Sequence, residues 1–193
     1  MTVIASYKDQ SGVYIGTDTA CSDDNELQIY GEKLIYHKNF IIAFAGSIRV
    51  AQLIEYCIDD LHCNPKDRRE IVGVAEFLKA VLIENGALVE KSKAAEMDAF
   101  FIIATYDNIY CVQEDFAVLE YKDTHFASAG AGGSIALGVL AGKEDKYGEI
   151  KKPEELLTLA INKAIKYVPS CGGKAVVRKV IRDNRKYRGK KDD

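Results

Sequence analysis

No apolar run in this chain approaches the roughly 18–20 residues that cross a bilayer, and no basic stretch followed by an apolar one opens it. Neither a membrane anchor nor export is therefore expected, and the expected compartment is the cytoplasm. An excess of positive charge is also missing. Lys and Arg number 26 against 29 Asp and Glu, a net charge of −3, which argues against general nucleic-acid affinity. The five cysteines (Cys21, Cys57, Cys63, Cys111, Cys171) are odd in number and scattered, so reduced thiols are expected rather than a disulfide framework. His62-Cys63 near Cys57 lacks a second closely spaced ligand pair, and Cys57 falls on an apolar helical stripe, so core packing is the better reading than a metal site. Repeats, low-complexity stretches and linkers are absent too. The 193 residues suit one domain with a full core. Residues 1–181 are assigned to that domain, and the basic run over 182–193 reads as a solvated tail.

What is present is a change of period along the chain. Val3, Ala5 and Tyr7 alternate with less apolar neighbours, and a turn at 9–12 leads to a second strand over 13–17. The polar stretch 21–26 reads as a loop. Strands follow at 33–36 and 40–45, the second so apolar that both of its faces should be covered. From Ser47, a candidate N-cap, Val50, Leu53, Ile54, Cys57, Ile58 and Leu61 trace one helix face. A second helix is predicted from about 69 to 91, with Gly86 as a potential break. Strands at 99–105, 109–112 and 117–121 form a meander, and 125–129 runs into Gly130-Ala131-Gly132-Gly133. Helices are expected over 134–142 and from Pro153 through Tyr167, with Glu154 and Glu155 at the positive end of the latter's dipole. Gly172-Gly173 turns into a last strand over 174–181. Strands, two helices, strands, two helices and a strand fit an α+β arrangement in which two helical layers cover two packed antiparallel sheets.

The residue with the most complete chemistry is Thr2. Once Met1 is removed, Thr2 carries a hydroxyl nucleophile and a free α-amine, whose unperturbed pKa of about 8 lets it serve as base for its own side chain. Asp18, in Gly16-Thr17-Asp18, and Lys33, in Glu32-Lys33-Leu34, supply an acid and an ammonium downstream. Ala45-Gly46 precedes the first helix. The glycines of 130–133 lack the Lys-Ser/Thr ending of a phosphate-binding loop, so close approach to the nucleophile is their better reading.

With Met1-Thr2-Val3-Ile4, Phe44-Ala45-Gly46, the 129–133 cluster and Ser170-Cys171-Gly172-Gly173, these motifs make the chain resemble a proteasome β-type subunit. The resemblance is to the HslV-like branch of the N-terminal-nucleophile hydrolases, over about 2–181. It implies a four-layer αββα sandwich and a threonine peptidase acting on unfolded polypeptides inside stacked hexameric or heptameric rings of itself, fed by an ATPase unfoldase. In that family Thr2 would be the nucleophile, Lys33 the ammonium beneath it, Asp18 the partner of Lys33, and the Gly46 N–H an oxyanion donor. No cofactor is required; a structural monovalent cation, Na+ or K+, would sit on backbone carbonyls near Val168, Cys171 and Lys174. Cys21, Ile35 and Phe44 would fall near the pocket for the residue before the scissile bond. Two departures stand out. Related subunits place a serine where this chain has Ala131, unless Ser128 or Ser134 stands in, and many place an aspartate and a serine where it has Val168 and Cys171. The first favours an alternative reading, a catalytically inactive ring or scaffold subunit.

Overall fold

The computed structural model describes residues 2–22, 27–91, 94–147 and 152–188. It opens with the expected hairpin, β1 (Ile4–Asp9) and β2 (Gly12–Thr17). Asp9 Oδ1 accepts from the Ser11 N–H at 2.7 Å and from its hydroxyl at 2.6 Å, an Asx-type turn that frees the backbone to reverse. Strands β12 (Phe126–Ala129) and β13 (Val176–Lys179) flank the hairpin, giving the antiparallel order β12-β1-β2-β13. In register, Ile4 lies opposite both Thr17 and Ala129, and Thr17 lies opposite Val176. The start of β1, the ends of β2 and β12, and the start of β13 therefore share one end of the sheet.

A second sheet has the order β11-β10-β9-β6-β5, from β5 (Leu34–Tyr36), β6 (Phe40–Gly46), β9 (Ala99–Thr105), β10 (Ile109–Val112) and β11 (Val118–Glu120). Two small hairpins, β3 (Ala20–Ser22) with β4 (Leu27–Ile29) and β7 (Val89–Lys91) with β8 (Ala94–Glu96), stand apart. The helices are α1 (Ile48–Cys57), α2 (Arg68–Glu84), α3 (Gly133–Tyr147) and α4 (Pro153–Tyr167).

Strand alternation sorts the apolar residues into three clusters. Phe40, Ile42, Phe44, Phe101 and Ile103 meet Val50, Ile54, Leu78 and Leu82 of α1 and α2. Their odd–even neighbours Ile41, Ala43 and Ile102 face Ile4 and Ile15 of the other sheet. Val3 and Ala5 meet Leu157, Ala160, Ile161 and Ala164 of α4. Strand β6 is buried on both faces up to Gly46, as its composition demands. Burying each large side chain here contributes about 1.5–3 kcal/mol against leaving it in water.

Several expectations change. Ser47 occupies the N-cap position of α1, but its side chain makes no capping bond. It is Asp67 that caps a helix, accepting from the Arg69 and Glu70 N–H groups. Helix α2 stops at Glu84 rather than 91, at the break that Gly86 suggested: Gly86 takes φ +61°, its N–H donates to the Ile83 carbonyl, and the Ala87 N–H donates to the Leu82 carbonyl. Helix α3 runs five residues beyond 142, to Tyr147. Of the expected 21–26 loop, Cys21 and Ser22 belong to strand β3, and residues 23–26 lie outside those described. The first part of the expected solvated tail, 182–188, is docked. Asn184 is fully buried, its N–H and side-chain amide donate to the Lys38 carbonyl, and its Oδ1 accepts from the Ile181 N–H. Tyr187 packs on Tyr36 with ring centroids 5.5 Å apart and donates to the Lys179 carbonyl. Charge patterning alone hid these contacts, since an amide and an aromatic ring anchor the segment beside the Arg188–Asp59 ion pair.

Candidate active site

The shared end of the four-stranded sheet gathers the predicted residues. Thr2 lies two residues before β1, and Asp18 follows β2 directly. Lys33 arrives from the other sheet, one residue before β5. Lys33 Nζ donates to Thr2 Oγ1 at 2.6 Å and to Asp18 Oδ1 at 2.8 Å. Asp18 and Lys33 have no solvent exposure, and Thr2 has 4%. An ammonium donating to the threonine oxygen has a chemical consequence: the hydroxyl proton must leave in another direction, and the charge stabilises the alkoxide left behind.

The carboxylate is held on three sides. Besides Lys33, Asp18 Oδ1 accepts from the Val3 N–H at 3.2 Å, and Oδ2 accepts from the Gly172 N–H at 3.0 Å. A buried ion pair is tolerable only when its remaining lone pairs are bonded in this way. The side-chain partners were visible in the motif spacing; the two backbone donors were not, although the Gly172-Gly173 pair marked the second of them.

The glycine cluster approaches Thr2, as its composition suggests. Gly130 has φ +79°, and a Cβ built there would lie 2.2 Å from the Thr2 carbonyl oxygen and 3.6 Å from the Ala45 side chain. Only glycine fits that position. The Gly132 N–H donates to the same Thr2 carbonyl at 3.2 Å. Ala131 is exposed. Ser128 donates its hydroxyl to the Gly133 carbonyl at 2.8 Å, and among the described residues neither Ser128 nor Ser134 bonds to Thr2. Gly46 ends β6 with φ +117°, exposed, one residue beyond the Ala45 that faces Gly130.

The thiols nearby are not competing nucleophiles. Burial pushes Cys171 up to about 11, with the Asp18 carboxylate adding to the shift and Lys33 opposing it. Burial also raises Cys21, against the pull of Lys33. Both therefore stay protonated at neutral pH.

Of the three residues tied to a cation, Cys171 donates its N–H to the Val168 carbonyl at 3.0 Å, and the Lys174 N–H goes to Thr19 Oγ1 at 2.9 Å. Among the described residues no group of three or more His, Cys, Asp or Glu side chains is placed to hold a metal. Ile35 and Phe44, expected near a substrate pocket, are instead packed in the helix-facing core. There the Tyr30 ring meets Phe44 edge-on at 6.3 Å. A cavity of about 880 Å³ lies beside the site, lined by Thr19, Tyr30, Glu32, Tyr36, Lys174 and Tyr187 among others.

The sequence matches no protein-family model and no curated protein. Solved structures do match. BPH from Thiobacillus denitrificans superposes with a TM-score of 0.78 at 18% identity, over 94% of this chain and 100% of that one. The same protein in complex with epoxomicin gives 0.77 at 18%, over 93% and 100%. Eukaryotic HslV from Trypanosoma brucei gives 0.65 at 17% identity, over 92% and 98%. This chain therefore has the HslV-like, proteasome-type fold that its N-terminal motifs suggested.

Proposed function

We propose that the chain is a threonine-type peptidase that hydrolyses peptide bonds of unfolded polypeptides, with Thr2 as nucleophile after Met1 is removed. The observation that carries this reading is the buried triplet in which Lys33 Nζ sits 2.6 Å from Thr2 Oγ1 and 2.8 Å from Asp18 Oδ1. The Thr2 hydroxyl attacks the carbonyl carbon while the freed α-amine takes its proton, directly or through water. Lys33 stabilises the alkoxide, and Asp18 holds Lys33 in place. The Gly46 N–H receives the developing oxyanion, a donor of a kind typically worth about 3–4 kcal/mol in the transition state. Collapse of the tetrahedral intermediate releases the amine product and leaves an acyl ester on Thr2, which water hydrolyses. With alanine at 131, the α-amine works without a neighbouring serine relay.

The three apolar clusters support a four-layer αββα sandwich as the scaffold. The same reading has the subunits stack as hexameric or heptameric rings fed by an ATPase unfoldase. It also places a monovalent cation on the carbonyls of Val168, Cys171 and Lys174. Ala131 favours a second reading, in which the fold is kept as an inactive ring or scaffold subunit.

Intact mass followed by a peptide epoxyketone separates the two. Loss of methionine and one adduct per chain, mapped to Thr2, is the expected result. Processed protein that takes no adduct overturns the peptidase reading.

A further inference from the structure

Thr19 follows the catalytic aspartate directly, is 3% exposed, and has no bond to Thr2 among the described contacts. It nonetheless joins three segments that converge on the site. Its N–H donates to the Gly172 carbonyl at 3.3 Å, and its Oγ1 accepts from the Lys174 N–H at 2.9 Å. Asp18 Oδ2 accepts from the Gly172 N–H, so the 18–19 and 172–174 segments are laced together at three points. On its other side the Thr19 carbonyl accepts from the N–H groups of Tyr30, at 2.8 Å, and Gly31, at 3.0 Å. Those residues lead directly to Lys33. Gly173 completes the clasp: at φ +73°, a Cβ there would lie 2.1 Å from Thr19 Oγ1.

We infer that Thr19 is a positioning residue, whose hydroxyl and backbone fix the separation of the Asp18 carboxylate and the Lys33 ammonium and so hold Lys33 under the Thr2 oxygen. The geometry explains why one residue suffices. Asp18 and Lys33 come from different sheets, and the Thr19 peptide is the piece of chain that bonds to the approach of each. Misplacement of reacting groups by about 1 Å costs on the order of 10²-fold in rate, so a loosened clasp is felt in kcat before it is felt in binding. This inference rests on the peptidase reading above.

The test compares Thr19→Val, which keeps the shape and removes the acceptor, with Thr19→Ser, which keeps the oxygen. In the assembled, processed protein, T19V should lose about 10- to 100-fold in kcat on a fluorogenic peptide with little change in KM. T19S should recover most of the loss. Gly173→Ala breaks the clasp from the opposite side and should be non-additive with T19V. A second readout does not need activity: in 15N-lysine spectra the Lys33 ammonium should exchange its protons faster in T19V than in the wild type and revert in T19S. Unchanged Lys33 exchange in a folded T19V protein overturns the inference, as does a T19S protein as impaired as T19V. Wild-type protein that neither labels nor hydrolyses sinks the peptidase reading alone, leaving the ammonium exchange to decide the role of Thr19.

Discussion

The two sheets make unequal use of their strand ends. In the four-stranded sheet every strand delivers something polar or backbone-specific to the same end: Thr2 before β1, Asp18 after β2, Gly130 after β12, and the Gly172-Gly173 turn ahead of β13. The five-stranded sheet contributes Lys33 and Gly46 at one corner and is otherwise apolar, sealed against α1 and α2 by Phe40, Ile42, Phe101 and Ile103. Where the two meet, the Asp18 carboxylate and Lys33 pair with each other, and backbone N–H groups complete the partners of the carboxylate. Away from that corner the second sheet is held by apolar packing against its helices. The polar end carries a cost in desolvation, and the apolar packing supplies stability that offsets it.

Substitutions can pull these roles apart. The largest effect should come from Thr2→Ala, which removes the hydroxyl proposed as the nucleophile. Peptide hydrolysis should fall by roughly 10³-fold or more, while the melting temperature stays close to that of the wild type. Next comes Lys33→Met, which strands the Asp18 carboxylate. Denaturant titration should show a loss of about 3–5 kcal/mol, and the double variant Asp18→Asn/Lys33→Met should be more stable than Lys33→Met alone. If the double variant is the less stable, the buried pair is not the source of the cost. Leu78→Ala in the helix-facing cluster should lose about 2–5 kcal/mol. Below its melting temperature it should keep kcat unchanged; a fall in kcat would mean that the apolar region also tunes the site.

The smallest effect concerns pH. His37 is buried, stacked on Phe40, and accepts from the Asn39 N–H at Nδ1, so its Nε2–H faces the Leu61 carbonyl at 2.9 Å. Burial lowers its proton affinity from the ordinary 6.5, with Asp59 opposing and Arg185 and Arg188 reinforcing. The unfolded chain thus binds this proton more readily than the folded one. The contribution of His37 to stability is complete above pH 6.5 and is lost as pH falls through its lower folded value. Thermal melts between pH 5 and 7.5 should show that decline, and His37→Asn should flatten it.

Much of this architecture was legible in the residues because it rests on alternation and helical period. Strand β6 declared its two buried faces, and Pro153 with Glu154 and Glu155 announced α4. Thr2, Asp18 and Lys33 were legible as side chains in a recognisable order. What could not be read is the backbone half of the site. Gly172 reaches Asp18 across 154 positions, and an N–H group carries no signature of its own. Strand β4 went unseen because all three of its residues are exposed, leaving no inward face to impose a period. Asn184 was masked by the basic residues around it, which say nothing about a single buried amide.

The grip on Thr2 has one further consequence. Its carbonyl is held by Gly132, its side chain by Lys33, and the next amide by Asp18, all on the carboxyl side of its own nitrogen. Trimming the preceding residue severs none of these. Under the proposed function, maturation can therefore follow folding without disturbing the bonds that hold Thr2.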